Sequence, residues 1–421
     1  MQWTPPFRRW LATHAVSVVA VIMVAGSVFV AGVARHGGAK DIDARYLYAA
    51  AKCWSAGKSP YVAQVFSSTY RTIFGVAPTS DFFAYPPTVT SIALPLALFQ
   101  WPVAARLFSL ANFAAAMVLF WACYRLVREE LGHSLRPSHW FWVVLASTVS
   151  GVPGTIFTGQ TSVFIAAAVA IAIVGSRCQR SWLTVVGFTI AGFKPQLSAP
   201  ALLLILWLER RQRPAALIGV GMWVGVSAYA IAIDPHFVQN YLNSLSRYHS
   251  VAENTLANEF GLVRLLVRCG LGHALAQIIG LTCAVSILGE IVWFVRRSGR
   301  TLSSTPLALM LMIFSTAVFL PIHDYDLCFY ATGLALIATL TRRYQVALCV
   351  PALLIWRPAP IHKLNPVAMP DLVPMLAWLS LLICSSAILA ARLQCGRTLT
   401  VGTVERNELG EPALGAAEVD V

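Results

Sequence analysis

Charge is scarce in this chain. Asp, Glu, Lys and Arg make up 12% of its 421 residues, roughly half the share found in a soluble globular domain. That shortage excludes a surface of ordinary composition facing water on all sides. Acidic groups are scarcest, 18 against 31 Lys and Arg, for a formal net charge of +13. The surplus is not a nucleic-acid footprint, because the basic residues sit mainly in short clusters between apolar runs, where they orient a membrane chain. The nine cysteines form no close pair and no metal-ligand spacing, which speaks against a disulfide framework or a metal site. Most lie in apolar runs and count as small hydrophobes. No Gly-x-Gly-x-x-Gly opens a helix after a strand, so no dinucleotide site is visible. No internal repeat is present.

What the chain has in abundance is hydrophobic residues, 57% of the total. Runs approaching the roughly 20 residues needed to cross a bilayer recur from Ala15 to Leu393. Helices satisfy their own backbone groups in lipid, so the expected fold is all-α: a polytopic transmembrane helical protein with about 10–13 membrane helices. The candidate spans are 15–33, 84–99, 103–124, 138–157, 161–175, 182–193, 196–208, 214–233, 272–295, 304–320, 325–341, 344–356 and 372–392. Arg8 and Arg9 before the first run imitate a secretory signal, but that run is too long for one and lacks a small-residue cleavage site. It reads as an uncleaved first helix entering from the cytoplasm.

Four arginine clusters mark the inner side: Arg177 with Arg180; Arg210, Arg211 and Arg213; Arg296, Arg297 and Arg300; Arg342 with Arg343. Each lies between two apolar runs, as short inner loops do. The far-side turns then carry the unusual polar residues: the loop 36–82, Lys194-Pro195-Gln196, residues 234–258, the sequence PIHDYD at 321–326 and RPAPIHKLNP at 357–366. The span count is odd, whereas an inner N-terminus and an inner C-terminus require an even one. The conflict falls between residues 84 and 175, where Pro153 and Gly154 break a helix or 84–99 spans only half the membrane. Segments 182–193 and 196–208 are about 18 Å long at 1.5 Å per residue, too short to cross about 30 Å of hydrocarbon. They read as a hairpin of short helices meeting at Lys194-Pro195. Proline disfavours helical geometry at the residue before it, which puts Lys194 at a forced break within membrane depth. The domain reading is one transmembrane unit over 1–395, with 36–82 as its first outer loop. Residues 396–421, which carry Glu405, Glu408, Glu411, Glu418 and Asp420, form a disordered cytoplasmic tail.

The polar stretch 40–87 is the most informative segment, because it is dense in aromatics and carries Asp41, Asp43, Lys58 and Asp81 between two apolar runs. The run Asp43-Ala-Arg-Tyr-Leu-Tyr48-Ala-Ala-Ala followed by Gly57-Lys-Ser-Pro60-Tyr61 resembles the first outer loop of glycosyltransferase family 87. There an Asp begins a short aromatic-alanine helix that ends in a Gly-x-x-Pro-Tyr turn. Tyr85-Pro86-Pro87, Gly159-Gln160 and Lys194-Pro195 resemble the same family, and the similar layout covers roughly residues 15–345. The resemblance implies a GT-C architecture and a polyprenyl-phosphate sugar as donor. The family includes a mannosyltransferase that extends phosphatidylinositol mannosides.

The resemblance makes Asp43 the expected general base. A carboxylate suits that role, taking the proton of the acceptor hydroxyl as it attacks. The plainer reading is that Asp43 caps the helix over 44–56, and Asp41 is the alternative base. Lys194 is a cation at membrane depth, which marks a functional site, and a lysine binds phosphate as a point charge; the competing reading is a side chain that snorkels to the interface. His323 is expected either to hydrogen-bond the departing phosphate or orient the base, or to be an ordinary turn histidine between helix-capping aspartates. Tyr48 and Tyr85 are candidates for substrate contact and Gln160 for hydrogen bonds to donor or acceptor, while Tyr61 invites sugar stacking and Trp101 is read as an interfacial anchor. Arg247, His249 and Asn254 belong to a far-side loop that could meet an acceptor, with ordinary solvated loop residues as the favoured reading, and Glu290 is expected to pair with the arginines that follow it.

The function expected is an integral membrane hexosyltransferase, with mannose as the hexose, acting on the outer face of a bacterial plasma membrane. It would move the sugar from a polyprenyl-phosphate carrier to a glycolipid or glycan acceptor with inversion. Its partners are then the bilayer, the lipid-linked donor and the acceptor, with no nucleic acid, no metal and no cofactor beyond the donor. The rival reading is a transporter or flippase of lipid-linked saccharides, which inverted repeats and matching broken helices would signal. Only one broken pair is visible.

Overall fold

A computed structural model describes residues 5–36, 40–132, 135–250, 261–297, 301–302, 305–319 and 323–356. Among these residues every regular element is a helix and no strand occurs. The helices are α1 (Pro5–Val28), continued by a π-turn over Phe29–Val33, α2 (Ile42–Ser55), α3 (Ala63–Phe74) and α4 (Thr90–Leu96). Next come α5 (Trp101–Leu131), α6 (Pro137–Ser147), α7 (Gly151–Thr158), α8 (Ser162–Arg177), α9 (Ser181–Ala191) and α10 (Pro195–Leu208). The rest are α11 (Arg213–Ala232), α12 (Phe237–Ser250), α13 (Leu262–Arg268), α14 (His273–Arg297), α15 (Pro306–Phe319), α16 (Ala331–Leu336) and α17 (Arg342–Trp356), with a 3-10 segment Asp324–Tyr330 leading into α16. The expected span 372–392, the loop 357–366 and the tail lie outside the described residues.

Among the described residues, five stretches are long and apolar enough to cross a membrane: 15–33, 101–131, 137–158, 210–232 and 273–297. Their burial sorts them into rim and centre. α1, α11 and α14 leave rows of large apolar side chains uncovered, among them Ile22, Val30, Leu217, Val224, Ile278 and Leu281. A helix apolar all round with such a face is stable only against lipid. By contrast, α8 is buried along nearly its whole length, from Ser162 to Ser176. The chain is a multi-pass helical membrane protein.

The short hairpin is present as α9 and α10, meeting at Lys194. α9 packs against α8 so closely that a Cβ on Gly187 would come within 2.6 Å of the Ala168 carbonyl oxygen. α8 thereby defines the two ends of the molecule. At its C-terminus, Arg177 pairs with Glu129 and Glu130 of α5. At the same end Thr184 of α9 bonds Gln212, just before α11, and Arg296 of α14 stacks on Trp207 of α10. The arginine clusters of these loops thus gather at one end, and Ser162 stands at the other, about 24 Å away at 1.5 Å per residue.

Residues 84–99 do not form a helix of crossing length. This segment is a 3-10 turn plus α4, ten helical residues over Pro87–Leu96, and both its ends rest on the same polar loop. The Tyr61 hydroxyl donates to the Tyr85 carbonyl (2.8 Å), while Tyr48 and Lys52 of α2 donate to the carbonyls of Phe99 and Ala97 (2.7 Å each). A ten-residue helical segment that starts and ends against the same outer loop does not cross. The helix break expected near Pro153 is also real: α6 ends at Ser147 and α7 begins at Gly151. α17 fills the gap, its Trp356 indole donating to Thr148 Oγ1 (3.0 Å) and its carbonyl accepting from the Ser150 N–H (3.0 Å). The polar loop itself is a small aromatic core, with Trp54, Tyr61, Phe66 and Phe83 buried together and Phe237 and Tyr241 of α12 laid against Tyr61.

A candidate active site at the end opposite the arginines

Asp43 lies in the first turn of α2, and the local backbone explains where it points. Asp41 takes a left-handed conformation (φ 56°), and its N–H donates to the Phe157 carbonyl of α7 (2.9 Å). α7 ends at Gly159, also left-handed (φ 74°), where a Cβ would lie 2.5 Å from Ala44 Cβ. Only glycine permits both that conformation and that approach. The first turn of α2 is therefore pressed onto the end of α7, which sets Asp43 beside Gln160. Gln160 hydrogen-bonds the Asp43 carboxylate, and its Oε1 accepts the Tyr85 hydroxyl. Since Oε1 is taken by Tyr85, the amide nitrogen is the atom left to face Asp43.

The capping reading of Asp43 fails on geometry, because the residue preceding α2 is Asp41 and no side-chain cap forms there. Asp43 instead sits in a protein-lined setting that still leaves part of it accessible. Desolvation raises its pKa from 3.8 to about 6, opposed by the Lys194 charge and the Gln160 hydrogen bond and assisted by Asp326. Asp41 is held differently, hydrogen-bonded by Ser109 and flanked by Lys40 and Arg45.

Lys194 occupies the residue before α10, in a non-helical conformation (φ −140°, ψ 75°) that the following proline enforces. Its side chain does not snorkel. The ammonium is buried, 3.1 Å from Asp326 Oδ1 and 2.8 Å from Ser162 Oγ, and 4.8 Å above the Tyr325 ring. Asp326 is also buried. Its Oδ1 accepts Ser162, and its Oδ2 accepts the His323 backbone N–H at 3.2 Å. His323 in turn meets the Tyr248 hydroxyl through Nε2 at 3.2 Å. Helices α2, α7, α8, α10 and α12 and the segment before α16 thus converge on one polar cluster within an apolar protein.

Four of the six residues singled out in the sequence have side chains in direct polar contacts here: Asp43, Tyr85 and Gln160 form one chain of bonds, and Lys194 joins Asp326 and Ser162. His323 borders the cluster through its backbone N–H and through Tyr248. Tyr48 stands apart. Its hydroxyl is consumed by the Phe99 carbonyl and its ring packs on Trp101 and Phe74, so it builds the loop core and touches no group of the cluster. Tyr61 is likewise loop core. Arg247 pairs with Asp81 at the exposed surface (3.0 Å), and Glu290 forms no ion pair with Arg296 or Arg297. Asn254 and the side chains of His249 and Asp324 lie outside the described residues.

Sequence reasoning passed over Asp326 as an ionic partner, along with Ser162, Tyr248 and Tyr325. One signal was available for Asp326: an ionisable group at the head of an apolar run pairs with another such group, and Lys194 was the only lysine at comparable depth.

No curated protein and no solved structure matches the chain. The sequence model of glycosyltransferase family 87 matches residues 83–322. That range holds Tyr85, Gln160, Ser162 and Lys194, stops one residue short of His323, and leaves Asp43 and Asp326 to be placed by geometry alone. It covers more than half of the chain, and with the all-helical membrane fold it identifies the chain as a member of glycosyltransferase family 87.

Proposed function

We propose that this membrane glycosyltransferase moves a hexose, with mannose the expected sugar, from a polyprenyl-phosphate carrier to a glycolipid or glycan acceptor. The observation that carries this reading is a carboxylate with a pKa of about 6 beside a buried lysine, at the end of the helices away from the arginines. Arginine-rich loops stay in the cytoplasm, so the reaction takes place on the outer face, in a bacterium the periplasmic side of the plasma membrane. A donor attached to a membrane lipid requires no nucleotide site.

The step is a single displacement at the anomeric carbon. The acceptor hydroxyl oxygen forms the new bond as the bond from that carbon to the phosphate oxygen breaks. The hydroxyl proton passes to Asp43, the configuration inverts, and the carrier phosphate departs with the bonding pair. Asp43 is largely ionised at neutral pH and close enough to its pKa to accept a proton effectively. Gln160, itself held by Tyr85, fixes the carboxylate. Lys194 has three N–H donors, two of which go to Ser162 and Asp326, leaving one for a phosphate oxygen; the His323 ring is engaged by the Asp326 N–H and the Tyr248 hydroxyl, so it positions this segment and has no free donor for the phosphate.

Membership of a glycosyltransferase family and a polar cluster at one end of the helices weigh against the transporter reading. The deciding experiment compares lipid and glycan profiles of cells with and without the protein. Loss should give a truncated glycan and accumulated carrier-linked sugar. The same truncation with the carrier-linked sugar trapped on the inner leaflet, instead of accumulating on the outer one, would favour a flippase.

A further inference from the structure

The end of the molecule away from the polar cluster has a binding groove of its own. It lies between α10 and α14, has a volume of about 580 Å³, and is lined by Trp207, Gly289, Val292, Trp293, Arg296 and Arg297. The α14 residues follow a spacing of three and four, so they form one stripe along the helix. Gly289 leaves open space where a side chain would stand. The stripe therefore runs from a shallow apolar dent to two guanidinium groups, over seven residues or about 10 Å. Arg296 sits 4.7 Å above the Trp207 ring and Arg297 5.3 Å from the Trp293 ring.

These two arginines differ from their neighbours at the same end. Arg125 is paired with Glu129, and Arg177 with Glu129 and Glu130. Among the described residues, no carboxylate pairs with Arg296 or Arg297. Glu290 is exposed on α14 and Glu209 is buried where α10 ends. Arg213 adds a third cation close by, held by the carbonyls of Leu206 and Trp207 (2.9 and 2.6 Å).

We propose that this groove binds one anionic phospholipid, its headgroup phosphate between Arg296 and Arg297 and an acyl chain along Val292 and Gly289. Charge complementarity selects the head, and the apolar floor, set at the end of two membrane helices, selects a lipid over a soluble anion. Basic pockets between helices at the cytoplasmic side are suited to anionic headgroups. Two arginines, at about 1 kcal/mol each near an anionic headgroup, give a preference for an anionic over a zwitterionic lipid on the order of 30-fold. The site is independent of the polar cluster and does not rest on the glycosyl-transfer reading.

The test is native mass spectrometry of the full chain released from nanodiscs of phosphatidylglycerol and phosphatidylcholine in equal parts. The wild-type protein should retain a single phosphatidylglycerol with strong preference. R296Q/R297Q should lose that preference, while R211Q, an exposed arginine of another loop at the same end, should keep it. Gly289→Leu, which fills the dent and leaves both charges, should weaken retention of phosphatidylglycerol. Equal retention of the two lipids by wild type, or an unchanged preference in R296Q/R297Q, overturns the proposal. Displacement of the lipid by millimolar inorganic phosphate would reduce the groove to a simple anion site and overturn it equally.

Discussion

Replacing Asp43 by Asn separates catalysis from structure, because the two consequences carry opposite signs. The carboxyl has a pKa of about 6 in the folded protein against 3.8 for the free group. A gap of about two units corresponds to about 3 kcal/mol, an upper figure because part of Asp43 touches solvent. The folded-state value is the raised one, so the folded protein is fully favoured below pH 3.8, loses stability as pH rises through 6, and bears the whole cost above that. Asn has no charge to desolvate. Asp43→Asn should therefore be more stable than wild type at pH 7 by up to about 3 kcal/mol, with the difference vanishing near pH 4. Its rate of sugar transfer should fall about 10²–10⁴-fold through loss of the base. Wild-type kcat/KM should decline about tenfold per pH unit below pH 6 as Asp43 takes up its proton. Thermal melting in detergent between pH 4 and 8, followed by tryptophan fluorescence, reads the first effect. Single-turnover transfer from a radiolabelled polyprenyl-phosphate sugar reads the second. An Asn variant that is less stable at pH 7 and transfers sugar at the wild-type rate would show Asp43 to be a structural residue and refute the argument.

Other expectations follow from the same geometry. Lys194→Met leaves Asp326 buried without its cation and should cost about 3–5 kcal/mol of stability; adding Asp326→Asn should recover most of that melting loss but not donor binding, and a double variant no more stable than the single would deny the pair. Gly159→Ala places a methyl 2.5 Å from Ala44 Cβ, so it should push α2 off α7 and lower kcat more than it raises KM; wild-type kinetics there would mean that this contact does not position Asp43. Single cysteines at positions 78 and 98 should both react with an impermeant thiol reagent from outside, since 84–99 does not cross, whereas one at 211 should react only after permeabilisation. Labelling of 211 in sealed cells would invert the orientation.

The long helices were legible because an apolar run of crossing length has few alternatives. The α9–α10 hairpin was legible for a different reason: Lys194-Pro195 forbids a continuous helix there. Segment 84–99 misled because its composition is that of a membrane helix. Its course is set by contacts with Tyr48, Lys52 and Tyr61, which no local pattern encodes. Tyr48 misled in the opposite way, since an aromatic beside a candidate catalytic carboxylate looks functional until its hydroxyl is found on a backbone carbonyl. Lys194 was singled out by its charge at membrane depth and Asp43 by the family resemblance together with the chemistry of a base, but the pairing of Lys194 with Asp326 joins residues 132 positions apart, and only the closure of α8, α10 and the segment before α16 reveals it. The pairing expected for Glu290 did not form because Arg296 and Arg297 stand six and seven residues further along α14, about 10 Å on, beyond the i,i+3 and i,i+4 neighbours that pair directly.

The shortness of α8 and α9 has a consequence for the membrane itself. From the arginine-rich end, α8 reaches Ser162 in about 24 Å and α9 reaches Lys194 in about 20 Å, whereas the hydrocarbon layer is about 30 Å deep. The polar cluster therefore lies several ångströms beneath the plane where lipid headgroups ordinarily begin. For a sugar to reach it, the water boundary must dip inwards over this protein, carrying headgroups and acceptor with it. If transfer takes place at this cluster as proposed, it does so at the bottom of a local depression in the leaflet, and a thicker bilayer should starve it of acceptor without altering any residue.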